Sequence, residues 1–177
     1  DFRLRIIGPD SRELTSEQVK QNAIARGVDD AVSLAGEHTA DELLAILADS
    51  DVLVLTSAIE GSPLTIIEAQ AMGLPVIMYE LPWISRGVGS DGIITTPSGD
   101  PAALADAIST VAHSPALYAE LSRSARASAQ KVAAIDFAAL LEGLLSNTLP
   151  TKFSPEPTVE DARLLVDWMI RFSERNI

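Results

Sequence analysis

Between Leu4 and Thr96 short β-type runs alternate with helical runs, and that alternation admits few architectures. Leu4-Arg5-Ile6-Ile7 reads as a strand, stopped by Gly8-Pro9-Asp10. A helix follows from Thr15 to Arg26, with Thr15 and Gln18 spaced as a capping box and Gly27 as the stop. Ala31 to Ala35 is a second strand, ended by Gly36. Thr39 and Glu42 form a second capping box, opening a helix to about Ser50. Asp51 to Thr56 is a third strand, and its unbroken Val-Leu-Val-Leu is typical of a sheet covered on both faces. A polar loop, Ser57 to Ser62, leads into a helix from Pro63 to Met72, with Gly73 as its stop. Pro75 to Tyr79 and Gly92 to Thr96 are the fourth and fifth strands, joined through a loop from Leu81 to Asp91. Asp100-Pro101 and Ser114-Pro115 each place an N-cap before a first-turn proline, starting helices to His113 and to about Ala134.

The expected fold class is therefore α/β: a Rossmann-like parallel sheet with helices on both faces. Sites in such sheets lie beyond the carboxyl ends of the strands. That rule selects the neighbourhoods of Gly8, Gly36 to Thr39, Ser57 to Thr65, Glu80 to Val88, and Pro97 to Asp100.

Composition removes several functions. Hydrophobic residues make up 47% of the 177, too many for a disordered chain. Lys and Arg number 13 against 25 Asp and Glu, a net charge of −12. Such a surface opposes a phosphate-tracking nucleic-acid groove and an anionic membrane. The absence of cysteine excludes disulfides, thiolate metal sites and cysteine nucleophiles, and fits a reducing compartment. No apolar run is long enough to span a bilayer, and Asp1-Phe2-Arg3-Leu4-Arg5 lacks the layout of a signal peptide, so a cytoplasmic location is expected. Residues 1–147 read as one domain and 148–157 as a linker holding Pro150, Pro155 and Pro157. Residues 158–177 read as a last helix, with Thr158 and Asp161 at its start. Its stripe of Ala162, Leu165, Met169 and Phe172, with Trp168 beside it, is expected to dock on this domain; a partner domain is the alternative.

The chemistry concentrates in Glu60-Gly61-Ser62-Pro63-Leu64-Thr65 and the helix behind it. Gly61 permits close approach of a ligand. Pro63 starts the helix, so the amides of Leu64 and Thr65 are among its unpaired donors, and donors plus dipole make a phosphate-binding end. Glu60 sits just before that end. Glu68 lies on an otherwise mostly apolar helix, where a carboxylate needs partners. Either a ribose diol or a protein partner, a backbone group or an arginine, meets that need.

This stretch resembles the signature of the retaining glycosyltransferases of family 4, which have the GT-B fold. Their C-terminal domain carries Glu-Gly-x-Pro, then a second Glu followed by Ala-x-Ala-x-Gly-x-Pro-Val-Ile. Glu60 to Pro63 and Glu68 to Ile77 match every one of those positions. The strands ending at Gly8, Gly36 and Ser57 and the Gly92-Ile-Ile strand extend the likeness over roughly Leu4 to Leu145. The resemblance implies the C-terminal, donor-binding half of a GT-B enzyme of hexosyltransferase type. Glu60 would contact donor-sugar hydroxyls as the catalytic carboxylate, and Glu68 would bind the ribose. Gly61, Ser62 and Pro63 would line the sugar. Leu64 and Thr65 would hold the diphosphate, with Gly8 leaving room beside it. Gly36, His38 and Thr39 would border the nucleobase. It implies no metal or other cofactor, the nucleotide sugar being a substrate, and an acceptor-binding N-terminal domain as partner, without which the chain would not turn over. Frequency within the family points to cell-surface polysaccharide or glycolipid synthesis. The family's diphosphate-clamping Arg and Lys, and the central strand leading to them, would lie upstream of residue 1. Between Gly27 and Ser122 the only Lys or Arg is Arg86.

Other signals are weaker. Asp49-Ser50-Asp51 matches a metal-binding pattern of another glycosyltransferase fold, but it joins a helix end to a strand start, where a solvated turn is expected. His38 reads as an exposed loop histidine in preference to a ligand contact, and His113 as a cation at a helix C-terminus. Trp83 reads as loop packing, and Arg86 as a surface arginine. No Gly-x-Gly-x-x-Gly follows a strand, which disfavours dinucleotide binding. Two alternatives remain: a binding or assembly module that has lost catalysis, disfavoured by the retention of Glu60 and Glu68, and a nucleotide-sugar epimerase of the same fold, which lacks this Glu-Gly-x-Pro spacing.

Overall fold

The computed structural model describes residues 2–11, 14–58, 60, 64–81, 91–146, 148 and 163. The chain divides into two compact units, Asp1–Asp49 and Ser50–Ile177.

In the first unit, strand β1 (Leu4–Ile7) pairs in parallel with β2 (Val32–Gly36). Leu4 lies opposite Val32 and Ile6 opposite Leu34, and a register shift then sets Ile7 opposite Gly36. A 3-10 turn, Asp29–Ala31, delays the second strand by one residue relative to the sequence reading. Helices α1 (Ser16–Ala25) and α2 (Ala40–Ala48) are both opened by their capping boxes. The Thr15 amide donates to Gln18 Oε1 at 2.8 Å and that of Thr39 to Glu42 Oε2 at 2.9 Å, so each box satisfies donors a helix start leaves free.

The second unit runs β3 (Leu53–Leu55), α3 (Leu64–Met72), β4 (Val76–Tyr79), β5 (Ile93–Thr96), α4 (Pro101–Ala112), α5 (Pro115–Ala133) and α6 (Phe137–Leu145). Its parallel sheet has the order β3-β4-β5, with Val54, Ile77 and Ile94 side by side. The central strand β4 is flanked by both neighbours, and Val76, Ile77 and Met78 are fully buried. Ile77, Leu104 and Val111 form the core over which Val54, Ile94 and Leu121 close. The architecture is α/β, parallel sheets with helices on both sides, as the alternation predicts. Among the described residues β1 pairs only with β2, and β3 only with β4.

Helix α5 secures the elements around α3. Arg126 Nη2 donates to the Met72 carbonyl at 3.1 Å, capping the end of α3. Lys131 pairs with Asp91 at 2.7 Å, and the Asp91 carbonyl accepts from Gln70 Nε2 at 2.8 Å. The sequence reading places no helix between Ala134 and residue 158, yet Asp136 caps α6 by accepting from the Ala139 amide at 2.9 Å. The loop 82–90, with Trp83 and Arg86, lies outside the described residues. So do the linker and last helix over 148–177, apart from Thr148 and Arg163.

Candidate functional site

All strands are parallel, so each unit gathers its strand-end residues at one edge of its ladder. In the first unit Gly8 and Gly36 come together at the carboxyl ends of β1 and β2, the Gly8 amide donating to the Gly36 carbonyl at 2.8 Å. Gly8 has a φ of +131°, and a Cβ built there meets nothing within 4 Å, so the space beside it is open. The backbone then passes through His38 to Thr39, the N-cap of α2.

His38 corrects an expectation. It is half-buried, not an exposed loop histidine, because Glu42 of the capping box draws it in, with Nδ1 3.4 Å from Oε2. Its Nε2 is buried and has no hydrogen-bond partner among the described residues. Glu42 accepts from the Thr39 amide and hydroxyl, each at 2.9 Å. The Thr39 amide first, its hydroxyl next and His38 last hold the Glu42 carboxyl below the usual glutamate range. The ionised form is the one that caps. Its contribution to stability is therefore full above the unfolded glutamate pKa and is lost as pH falls through the lower folded value. A proton titration followed by NMR should place Glu42 below free glutamate, and Thr39→Val, which removes the hydroxyl and keeps the amide, should raise it only part of the way; a Glu42 at the free value in the native protein would contradict this capping geometry.

In the second unit the site is built on the β3-to-α3 crossover. Glu60 lies just before α3 and is half-buried. Gly61, Ser62 and Pro63 lie outside the described residues. Leu64 and Thr65 form the first turn of α3, whose amides have no intrahelical acceptor. Leu64, at the start of the helix, is 66% exposed. Glu68 is the fifth residue of α3, about 6 Å along the axis from Leu64. It is half-buried beside the buried Ile66, Ala69 and Gln70.

Among the described residues neither Glu60 nor Glu68 has a hydrogen-bond or ion-pair partner. Arg126 of α5 donates to the Met72 carbonyl, at the other end of the helix from Leu64. A carboxylate half-removed from water and lacking a protein donor is poised for hydroxyl donors of a ligand. Gln70 is the residue the sequence reading passed over. It is fully buried and ties α3 to the turn before β5, and its signal was the same as that of Glu68, a polar side chain in an apolar helix. Asp49 C-caps α2 and pairs with Arg5 at 3.3 Å, while Asp51 leads into β3, so the Asp-Ser-Asp run sits at strand starts. Among the described residues no three His, Asp or Glu side chains group as metal ligands, and no helix is long and apolar enough to cross a membrane.

The family model described as "Glycosyl transferases group 1" matches residues 1–114. The chain is 34% identical over 134 residues to a D-inositol 3-phosphate glycosyltransferase of Acidothermus cellulolyticus, covering 73% of this chain and 30% of that protein. Among solved structures it is similar to a sucrose-phosphate synthase from Thermosynechococcus elongatus, at 25% identity and a TM-score of 0.68, covering 82% of this chain and 38% of that one. It also shares a fold with Alr3699/HepE of Anabaena, solved in complex with UDP, at 20% identity and a TM-score of 0.70, covering 82% and 41%. The chain thus spans about a third of the curated relative it matches.

Proposed function

Because the chain belongs to the glycosyl transferases group 1 family, we propose that it is the donor-binding part of a retaining, family 4 glycosyltransferase. The enzyme moves a hexose from a nucleoside diphosphate sugar to an acceptor hydroxyl, in cytoplasmic synthesis of a cell-surface polysaccharide or glycolipid. The observation that carries this reading is the pair of half-buried carboxylates, Glu60 and Glu68, without protein partners among the described residues on either side of the start of α3. The complex of Alr3699/HepE with UDP supports a nucleoside diphosphate as the ligand class.

On this reading Glu68 accepts both hydroxyls of the ribose, and the amides of Leu64 and Thr65 meet the diphosphate. Gly61, Ser62 and Pro63 line the sugar. Gly8 gives the diphosphate room, and Gly36, His38 and Thr39 border the base, where the free Nε2 of His38 offers a polar contact. Negative charge develops on the departing diphosphate. Amide dipoles already aimed at it stabilise the transition state without reorganising, and such fixed dipoles are the main source of rate in this kind of transfer. No metal is needed where amides, and cations from the rest of the enzyme, share that charge. The acceptor comes from an N-terminal domain, so this chain alone has no turnover.

Calorimetric titration with UDP, GDP and ADP tests the reading. One nucleotide should bind, and Glu68→Ala should weaken it by at least about tenfold, since a hydrogen bond to a charged group contributes roughly 1.5–3 kcal/mol. Absence of binding by all three, in a protein extended to include the upstream strand, would favour the assembly module.

A further inference from the structure

We infer that Gln70 is a positioning residue for the donor site: it pins the back of α3 and so sets where Glu68, on the front, meets the ribose. The inference rests on the role proposed above for Glu68. Gln70 is fully buried, and its Nε2 donates to the Asp91 carbonyl at 2.8 Å. Asp91 is itself held. Its carboxylate pairs with Lys131 of α5 at 2.7 Å, and its neighbour Gly92 accepts from the amide of Val76, the first residue of β4, at 3.0 Å. The bond from Gln70 thus refers α3 to the central strand of the sheet. A buried amide is costly unless bonded, and an apolar side chain of the same shape would serve packing about as well. Packing alone therefore does not call for a glutamine here. Ile66 and Ala69, buried on the same helix, make apolar contacts, which have no preferred direction and leave small rotations cheap. The bond from Arg126 to the Met72 carbonyl sits at the helix end, close to the axis, and resists sliding more than turning. A buried side-chain hydrogen bond fixes the rotation that these leave loose.

Glu68 and Gln70 are two residues apart, about 200° around the helix, so they lie on opposite sides of it. Among the described residues Glu68 has no protein partner to steady its carboxylate, and the backbone of α3 alone places it. A side-chain carboxylate stands about 5–6 Å from the helix axis, and the backbone lies within about 2.3 Å of it. A turn of about 10° therefore carries the Glu68 carboxylate about 1 Å sideways and moves the amides of Leu64 and Thr65 by less than about 0.5 Å. The larger shift is enough to spoil two hydrogen bonds to a diol. Loss of the pin falls on the ribose grip and spares the diphosphate end.

Calorimetric titration of the whole enzyme with UDP, GDP and ADP tests the inference in four proteins: native, Gln70→Leu, Glu68→Ala and the double variant. Gln70→Leu should weaken the nucleotide that binds by about tenfold. A glutamine that only stabilises the fold would cause the same loss whether or not Glu68 is present. A positioning glutamine acts through Glu68, so in the Glu68→Ala background Gln70→Leu should cost less than about twofold more. Lys131→Met, at an exposed site, loosens Asp91 without touching the core and should weaken binding about threefold, again only while Glu68 is present. If Gln70→Leu does not fold, Lys131→Met decides by the same criterion. Equal losses with and without the Glu68 carboxylate, or undiminished binding by the folded variants, would overturn the inference and leave the donor-site reading standing. Absence of binding by the native enzyme for all three nucleotides would overturn that reading, and this inference with it.

Discussion

Gly92→Ala should destabilise the second unit by about 3 kcal/mol, the sum of left-handed backbone strain and overpacking against a backbone that cannot yield. Gly92 has a φ of +78°, and a Cβ there would lie 2.6 Å from the Ala125 amide nitrogen and 2.7 Å from its Cα. The obstacle is the backbone of α5, fixed by its own hydrogen bonds. Gly92 also leads into β5, its carbonyl accepting from the Val76 amide at 3.0 Å, so relief by moving the loop would disturb the central strand. Gly73 provides the comparison. Its φ is +79°, but the nearest atoms a Cβ there would meet belong to the guanidinium of Arg126, the far end of a flexible side chain. Gly73→Ala should therefore cost about half as much: the strain and the weakened cap on Met72, without a backbone clash. For a chain of this length the Gly92 substitution should lower Tm by about 10 °C. Thermal melts of the two variants decide the matter; a larger loss at Gly73 than at Gly92 would show that close contact with α5 is not what fixes this turn.

Most of the fold was legible because its signals are local. Thr15 with Gln18, Thr39 with Glu42, Asp100 before Pro101 and Ser114 before Pro115 each state a helix start within four residues, and all four caps form. The apolar runs at Val54 and Ile77 name strands, of which β4 is buried from Val76 to Met78 while β3, at the edge of its ladder, is only half-buried. The strand-end rule and the motif around Glu60 located the candidate site for the same reason, since a strand, a turn and a helix start are contiguous in the chain. What escaped depends on distance. The burial of Gln70 rests on a carbonyl twenty-one residues away, which no local pattern announces. Helix α6 was missed although Asp136 is a plain N-cap, because Phe137-Ala-Ala-Leu-Leu-Glu-Gly-Leu-Leu is apolar on most sides and its period is hard to see. The division of the strands into two ladders was not legible at all, because strand pairing carries no local mark in a parallel sheet.

Glu60→Gln, made in the whole enzyme, should lower kcat by roughly 100-fold or more while the donor KM changes by less than about threefold. The substitution keeps size and hydrogen-bonding reach and removes only the charge. A carboxylate beside the sugar does little for a neutral ring in the ground state. Glycosyl transfer passes through an oxocarbenium-like transition state, and the same charge then faces a developing cation on one side while α3 amides face the departing anion on the other. The benefit is confined to the transition state, so it falls on kcat. Glu68 should behave in the opposite way. On the proposed assignment it holds the ribose, whose contacts do not change as the bond breaks, so Glu68→Gln should raise KM and leave kcat within about threefold. The crossed pattern separates the roles more sharply than loss of activity in either variant alone. If Glu60→Gln weakens donor binding and spares kcat, Glu60 only grips the sugar and the proposed charge arrangement fails. If both variants lose kcat alike with KM unchanged, the two carboxylates act as one unit, and the assignment of Glu68 to the ribose has to be withdrawn.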